Sequence, residues 1–116
     1  MELFDTTQVA LERAMAGAAM RHTAIASNLA NVNTPGYRRR DVDFHGALQQ
    51  AMQRDGDPHR ASFAVVEDPS APTRADGSSV DADAESAALA RNALEQQALA
   101  TIVKARTSIL QSAIGH

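Results

Sequence analysis

The chain has 116 residues, enough for one domain, and 44% of them are hydrophobic, but 24 of those 51 are alanine and only four are aromatic. Alanine favours helix yet buries little area, so a lone monomer has little apolar surface to set against chain entropy, and a core completed by neighbours is expected. The net charge of −3 divides into +2 for residues 1–40, −7 for 41–85 and +2 for 86–116, with no cysteine and no run of about 18 apolar residues; this excludes a basic nucleic-acid footprint, disulfide or thiolate chemistry, and a membrane-spanning helix.

Residues 5–31 predict one long helix. Asp5 is placed as its N-cap, Gln8 at N3 completes a capping box, and Phe4 and Val9 form a hydrophobic staple. Leu11, Met15, Ala18, His22, Ile25 and Leu29 recur at spacings of 4, 3, 4, 3 and 4. That row suits a coiled-coil seam or the inner face of an ordinary bundle helix, and the residues alone leave both open. The helix would be about 40 Å long. It stops in Asn31, Asn33, Thr34, Pro35 and Gly36. Proline disfavours helical geometry at Thr34, and Gly36 suits the positive φ of a type II turn.

Asp43 is placed to cap a short second helix reaching about Gln53, with Phe44, Leu48 and Met52 on one face. Residues 54–82 then change character, holding Gly56, Pro58, Pro69, Pro72 and Gly77 among many acids. They read as a mobile linker, partly disordered in isolation, with residues 61–67 as the one candidate strand. From about Asp83 to Ile114 no glycine or proline intervenes, and Gly115 is a suitable C′ residue. Asp81, Asp83 and Glu85 favour the dipole at its start. Its apolar residues fall on two stripes, Leu94, Ala98, Ile102, Ala105 and Ile109 on one, Leu99, Val103, Leu110 and Ile114 on the other. Together they are wider than a two-stranded seam needs, so this helix should touch more than one partner.

The fold class expected is therefore mainly α. Two long amphipathic, coiled-coil-like terminal helices pair antiparallel around a polar, partly disordered middle with at most a short β element. Residues 1–53 hold the first helix, turn and second helix, residues 54–82 the acidic linker, and residues 83–116 the last helix.

No catalytic, metal or cofactor site is expected. His22, His45, His59 and His116 include no pair at a metal-ligand spacing. His22 lies on the seam and reads as a buried or interface histidine. Asp81 to Glu85 lacks the glycine and the bidentate glutamate of a calcium loop and is better explained as a helix cap. Asp41 and Asp43 have no accompanying base, nucleophile or phosphate loop. Arg38, Arg39 and Arg40 form the one basic cluster, and the acids around them favour protein contacts, with acids on a neighbouring subunit as partners, over lipid or RNA.

Ala26 to Tyr37 reads Ala-Ser-Asn-Leu-Ala-Asn-Val-Asn-Thr-Pro-Gly-Tyr. This string resembles the N-terminal signature of bacterial flagellar axial proteins, with Ser27 where asparagine is usual. Arg40-Asp-Val-Asp-Phe44, Val80-Asp-Ala-Asp-Ala-Glu85 and the ending Ser108-Ile-Leu-Gln-Ser-Ala-Ile114 are similar to the FlgB family of proximal rod proteins. The chain is too short for the hook and distal-rod relatives, while other short rod proteins remain competitors. The resemblance implies a structural subunit of the basal-body rod in the periplasm, packing helically with itself and other rod proteins. It also implies contact with the export gate and the membrane-ring adhesive protein, and export without a cleaved signal peptide. Stable membrane insertion and nucleic acid are not expected. Subunit contacts would fall on Asn28, Asn31, Asn33, Thr34, Pro35, Gly36 and Tyr37 at the turn. Leu11, Met15, Ile25 and Leu29 on the first helix, and Leu99, Ile102, Val103, Ile109 and Leu110 on the last, would complete them. The rival reading is a small helical adaptor that forms a discrete dimer, which accounts for the wide apolar face but not for the turn string.

Overall fold

The computed structural model describes residues 2–115, with side chains described from Thr6 onward. In chain order, α1 is Glu2–Ala30, β1 Arg40–Asp41, α2 Phe44–Asp55, a 3-10 turn Pro58–Arg60, β2 Val66–Glu67 and α3 Ala82–Ile114. Helix α1 is already formed at Glu2, which overturns Asp5 as its N-cap. Acids in a first turn suit the helix dipole without capping it. The side chains of Phe4 and Asp5, and with them the staple and the capping box, lie outside the described residues. Gln8 instead donates forward to Glu12 at 3.3 Å.

The predicted turn forms as its residues dictate. Tyr37 N donates to Thr34 O at 3.2 Å, and Gly36 has φ 76°, closing a type II turn with Pro35 at its second position. Helix α2 is capped by Asp43, which accepts from Gly46 N at 3.0 Å, and it ends at Gly56 in left-handed geometry. Its inner face is Phe44, Leu48 and Ala51; Met52, expected on that face, is 39% exposed. Asp81 caps α3 by accepting from Asp83 N and Ala84 N. Gly115 differs from expectation: it stays right-handed at φ −70°, and its N–H continues the helix pattern to Gln111 O.

Helices α1 and α3 run antiparallel. Glu85 lies level with Asn28, Asn92 with Ala18, and Arg106 with Gln8. The molecule measures 63 × 28 × 13 Å, with a radius of gyration of 17.4 Å. A compact domain of this length would have a radius near ~13 Å, so the chain is a rod-shaped hairpin with short attachments.

The core is small and sits toward one end of the hairpin. Ala18, Ala24, Ile25, Val42, Phe44, Val80 and Ala88 are buried there. Phe44 is its largest member, fully buried with Phe63 edge-on at 6.3 Å. Arg13 closes the lower side, its guanidinium 4.5 Å above the Phe63 ring and donating to Ala61 O at 2.6 Å. Among the described residues none beyond Asn92 in α3 is buried. Residues 61–81 have little regular structure, yet they fold back onto the turn. Asp68 N donates to Arg39 O, Ser79 N to Tyr37 O, and Gly36 N to Asp76 O. Strands β1 and β2 pair antiparallel, Arg40 opposite Glu67 and Asp41 opposite Val66.

Gly17 explains how Phe44 reaches α1 so closely. A methyl group on Gly17 would lie 2.4 Å from Phe44 Cβ, inside contact distance. Helix propensity alone would make Gly17→Ala stabilising by about 1 kcal/mol. Overpacking at Phe44 costs more, about 1–3 kcal/mol. Thermal denaturation should therefore show Gly17→Ala with a lowered midpoint; a raised midpoint would refute this account of the core.

Candidate functional site

The Asn-rich turn is joined to the hairpin by one buried amide. Asn28 is fully buried in α1. Its Oδ1 accepts from Arg40 N at 2.9 Å, and its Nδ2 donates to Arg40 O at 2.8 Å and to Glu85 Oε2 at 3.2 Å. A single side chain thus satisfies both main-chain groups of Arg40, as a neighbouring strand would. Asparagine is suited to this because its amide offers an acceptor and two donors on a short stem.

Glu85, only 2% exposed, is the buried charge of this region. Arg39 Nε donates to its Oε1 at 2.5 Å. The same guanidinium reaches Asp68 at 2.6 Å and Asp41 at 3.3 Å, and Arg21 Nε donates to Asp41 at 2.9 Å. The Arg39 main-chain N–H donates to Ser79 Oγ at 2.7 Å. The Glu85 hydrogen bond is the largest influence on Arg39 and raises its pKa further above the ordinary range, against the opposing effect of burial. For Asp41, burial acts to raise the pKa, but the Arg21 and Val42 hydrogen bonds and the two guanidinium charges outweigh it, and the pKa is lowered. Asp68 is lowered as well, first by the Ser70 hydroxyl.

This cluster revises two expectations. Arg39 meets acids of its own chain rather than a neighbour's, while Arg38 donates to Thr73 and Arg40 is exposed. Glu85 does not simply face the helix dipole; it points inward to Arg39. His22, expected to be buried or at an interface, is exposed in this chain. Ala18 and Ile25 carry the buried row and Arg21 reaches Asp41, so the inward face passes beside His22.

The residues singled out as subunit contacts divide into two groups. Asn28 and Ile25 are buried within the chain. Asn31 caps the end of α1, donating to Ser27 O at 2.8 Å and accepting from Thr34 Oγ1. Tyr37 is half-buried, its hydroxyl 3.2 Å from Ser27 Oγ. Leu11, Met15, Leu29, Leu99 and Val103 are half-buried. Asn33, Thr34, Pro35 and Gly36 are exposed at the tip of the turn. Ile102, Ile109 and Leu110 are exposed on α3, with Ile109 at 68%.

Helical geometry accounts for that division. Glu85, Ala88, Asn92, Leu99 and Val103 form the inward row of α3 against α1. Leu94, Ala98, Ile102, Ala105 and Ile109 form the outer row, all of it exposed. Nothing in the chain covers that row among the described residues. Sequence reasoning missed the Arg39–Glu85 pair, Asp68, Ser79 and Asn92, whose Nδ2 donates to Ala18 O at 2.8 Å. The available signal was the 3, 4 spacing of Glu85, Ala88 and Asn92, which places an acid and an amide in line with Leu99.

Among the described residues no group of histidines and acids is arranged to hold a metal, and no helix is long and apolar enough to cross a membrane. Open clefts lie beside the charge cluster and the turn, and smaller ones border the 3-10 turn and α2.

The family model described as "Flagella basal body rod protein" matches residues 10–38, which take in α1 from Ala10 onward together with the turn. The chain is similar to the flagellar basal body rod protein FlgB of Bacillus subtilis (strain 168), 27% identical with 98% of this chain and 97% of the relative covered. It is 32% identical to that of Escherichia coli (strain K12), covering 81% of this chain and 85% of the relative. The Aeromonas hydrophila protein of the same name is 31% identical, with 81% of each chain covered.

Two outcomes follow from the cluster. Asn28→Asp keeps an acceptor for Arg40 N but removes both donors and sets a carboxylate against Glu85. It should cost about 2–4 kcal/mol in urea denaturation; a loss below about 0.5 kcal/mol would contradict the bonding described. Asp41 and Asp68 have folded pKa values below their unfolded ones. Their contribution is full above about pH 4 and is lost as pH falls through the lower folded values. The melting temperature should hold from pH 7 to 5 and fall below 4, and Asp41→Asn should lower it at pH 7 while making the acid fall shallower.

Proposed function

The chain belongs to the FlgB family of flagellar basal body rod proteins and is a structural subunit of the rod, and from that premise we propose that it occupies the proximal rod and assembles there through its terminal helices. The observation that carries this reading is the outer row of α3. Leu94, Ile102 and Ile109 are 66%, 46% and 68% exposed although their helix is long, regular and paired. Burying each against a neighbour would stabilise the assembly by about 2 kcal/mol. The exposed tip Asn33 to Gly36 supplies polar groups for a second contact, with the side chains behind it already committed internally.

An apolar row on one flank can meet either its own copy or a different surface of the next subunit. Contact between it and a different surface of the next subunit is heterologous, and a heterologous contact that does not close propagates as a helix. Other rod proteins sharing the turn and the two helices would continue the same tube. At its inner end the subunit would meet the export gate and the membrane-ring adhesive protein. Passage through the flagellar type III export apparatus would deliver it to the periplasm.

The test is genetic and structural together. In a strain deleted for the gene, the wild-type chain supplied in trans should restore rod, hook and filament in purified basal bodies. Ile102→Asp with Ile109→Asp changes only exposed side chains, so circular dichroism should show the helical fold retained. Basal bodies from that strain should stop at the membrane ring, with motility lost. Normal rods built from the double variant would overturn assembly through α3.

A further inference from the structure

A cleft of about 400 Å³ opens between the β1–β2 ribbon and the start of α2. Asp41, Asp43, Glu67 and Asp68 line it, against the single arginine Arg21. Val66, an apolar residue 54% exposed, lies on its wall. Its surplus of carboxylates belongs to the −7 segment of the chain. Internal pairing accounts for only some of them: Arg21 and Arg39 engage Asp41 and Asp68, while Glu67 is exposed and forms no ion pair among the described residues.

The opposite character is found at the far end of α3. After Glu95 the sequence contains no acid, while Lys104 and Arg106 are basic. Lys104 is exposed and forms no ion pair among the described residues. The outer row runs alongside it, with Ile102 and Ile109 exposed. The middle of the hairpin therefore presents an acidic cleft with an apolar wall, and the far end of α3 presents an apolar row flanked by a lysine. Glu95 meets His45 at the edge of the cleft, and Lys104 and Ile109 lie about 14 and 21 Å further along the same straight helix, so these two surfaces of one chain do not meet.

We propose that the acidic cleft of one subunit receives the distal half of α3 from a second copy, with Val66 against Ile109 and Glu67 facing Lys104. This rests on the rod-subunit reading and deepens it by naming which surface of the neighbour covers the outer row. The contact is head-to-tail, so each subunit offers one cleft and one helix end, and the next copy is added without exhausting either surface. Charge sets the direction of approach: a reversed neighbour would bring cleft to cleft, acid against acid. The apolar wall supplies the area, and the lysine the register.

The absence of cysteine gives a clean background for the test. A chain carrying Val66→Cys and Ile109→Cys should complement the deletion strain. Mild oxidation of its purified basal bodies should give a ladder of linked dimers and higher multimers on a non-reducing gel, absent from either single variant. Rods that form without that link would overturn the contact and leave the rod-subunit reading standing. Equal linkage from Val66→Cys alone would overturn it too, since that marks a two-fold, cleft-to-cleft arrangement. Should the cysteine pair itself prevent rod formation, charge reversal decides. Lys104→Glu should reduce swarming at least twofold, and adding Glu67→Lys should restore it. Wild-type swarming by Lys104→Glu, or no restoration by the second change, would contradict the proposal.

Discussion

A carboxylate as buried as Glu85 needs both a cation and a hydrogen-bond donor, and one arrangement of this chain supplies them together. Arg39 brings the cation from β1's approach, and Asn28 brings the donor from α1. Both are met only when α3 lies antiparallel to α1 with Glu85 level with Asn28. Sliding α3 by a turn would bury the carboxylate without partners, at a cost of several kcal/mol. The apolar contacts of the hairpin cannot fix that register by themselves, because alanines at helical spacing accept several offsets. The remaining fold follows from the same pair. Arg39 also holds Asp68 and Asp41, so the ribbon and the returning loop are tied to the helices through one guanidinium.

The local elements were legible because local chemistry decides them. Asp43 and Asp81 cap their helices, Pro35 and Gly36 make the type II turn, and the two stripes of α3 separate as their spacing predicts. What escaped the sequence is long-range and polar. Arg39 and Glu85 are 46 residues apart, and nothing in the composition of the linker says that Asp68, Asp76 and Ser79 bond to the turn. Asp5 has the chemistry of a cap, but the helix already runs through it from Glu2. His22 is exposed in this chain because the inward face of α1 runs through Ala18, Arg21, Ile25 and Asn28, a row that the 4, 3 spacing alone does not single out. The Asn-rich string was legible as a family mark, but its residues serve different ends: Asn28 builds the inside, Asn31 caps a helix, and Asn33 remains outside.

The division between a locked end and an open end links the fold to the rod. Residues 17–92 of the hairpin bury Phe44, the charge cluster and the turn's supports. Beyond them α3 carries isoleucines and leucines on two sides, and α1 covers only one. A self-sufficient monomer would place polar residues at Leu94, Ile102 and Ile109. Their exposure is what a subunit finished by its neighbours requires, and the alanine-rich composition points the same way.

The most direct test of that central claim is the accessibility of one outer-row position before and after assembly. Ile102→Cys, in this otherwise cysteine-free chain, can be labelled with a maleimide in the purified subunit and in isolated basal bodies. Ile25→Cys, inside the core, serves as a control protected in both. Ile102→Cys should label rapidly in the free subunit and at least tenfold more slowly in the rod. Equal labelling in both would show that the outer row stays open to solvent and that another surface builds the rod.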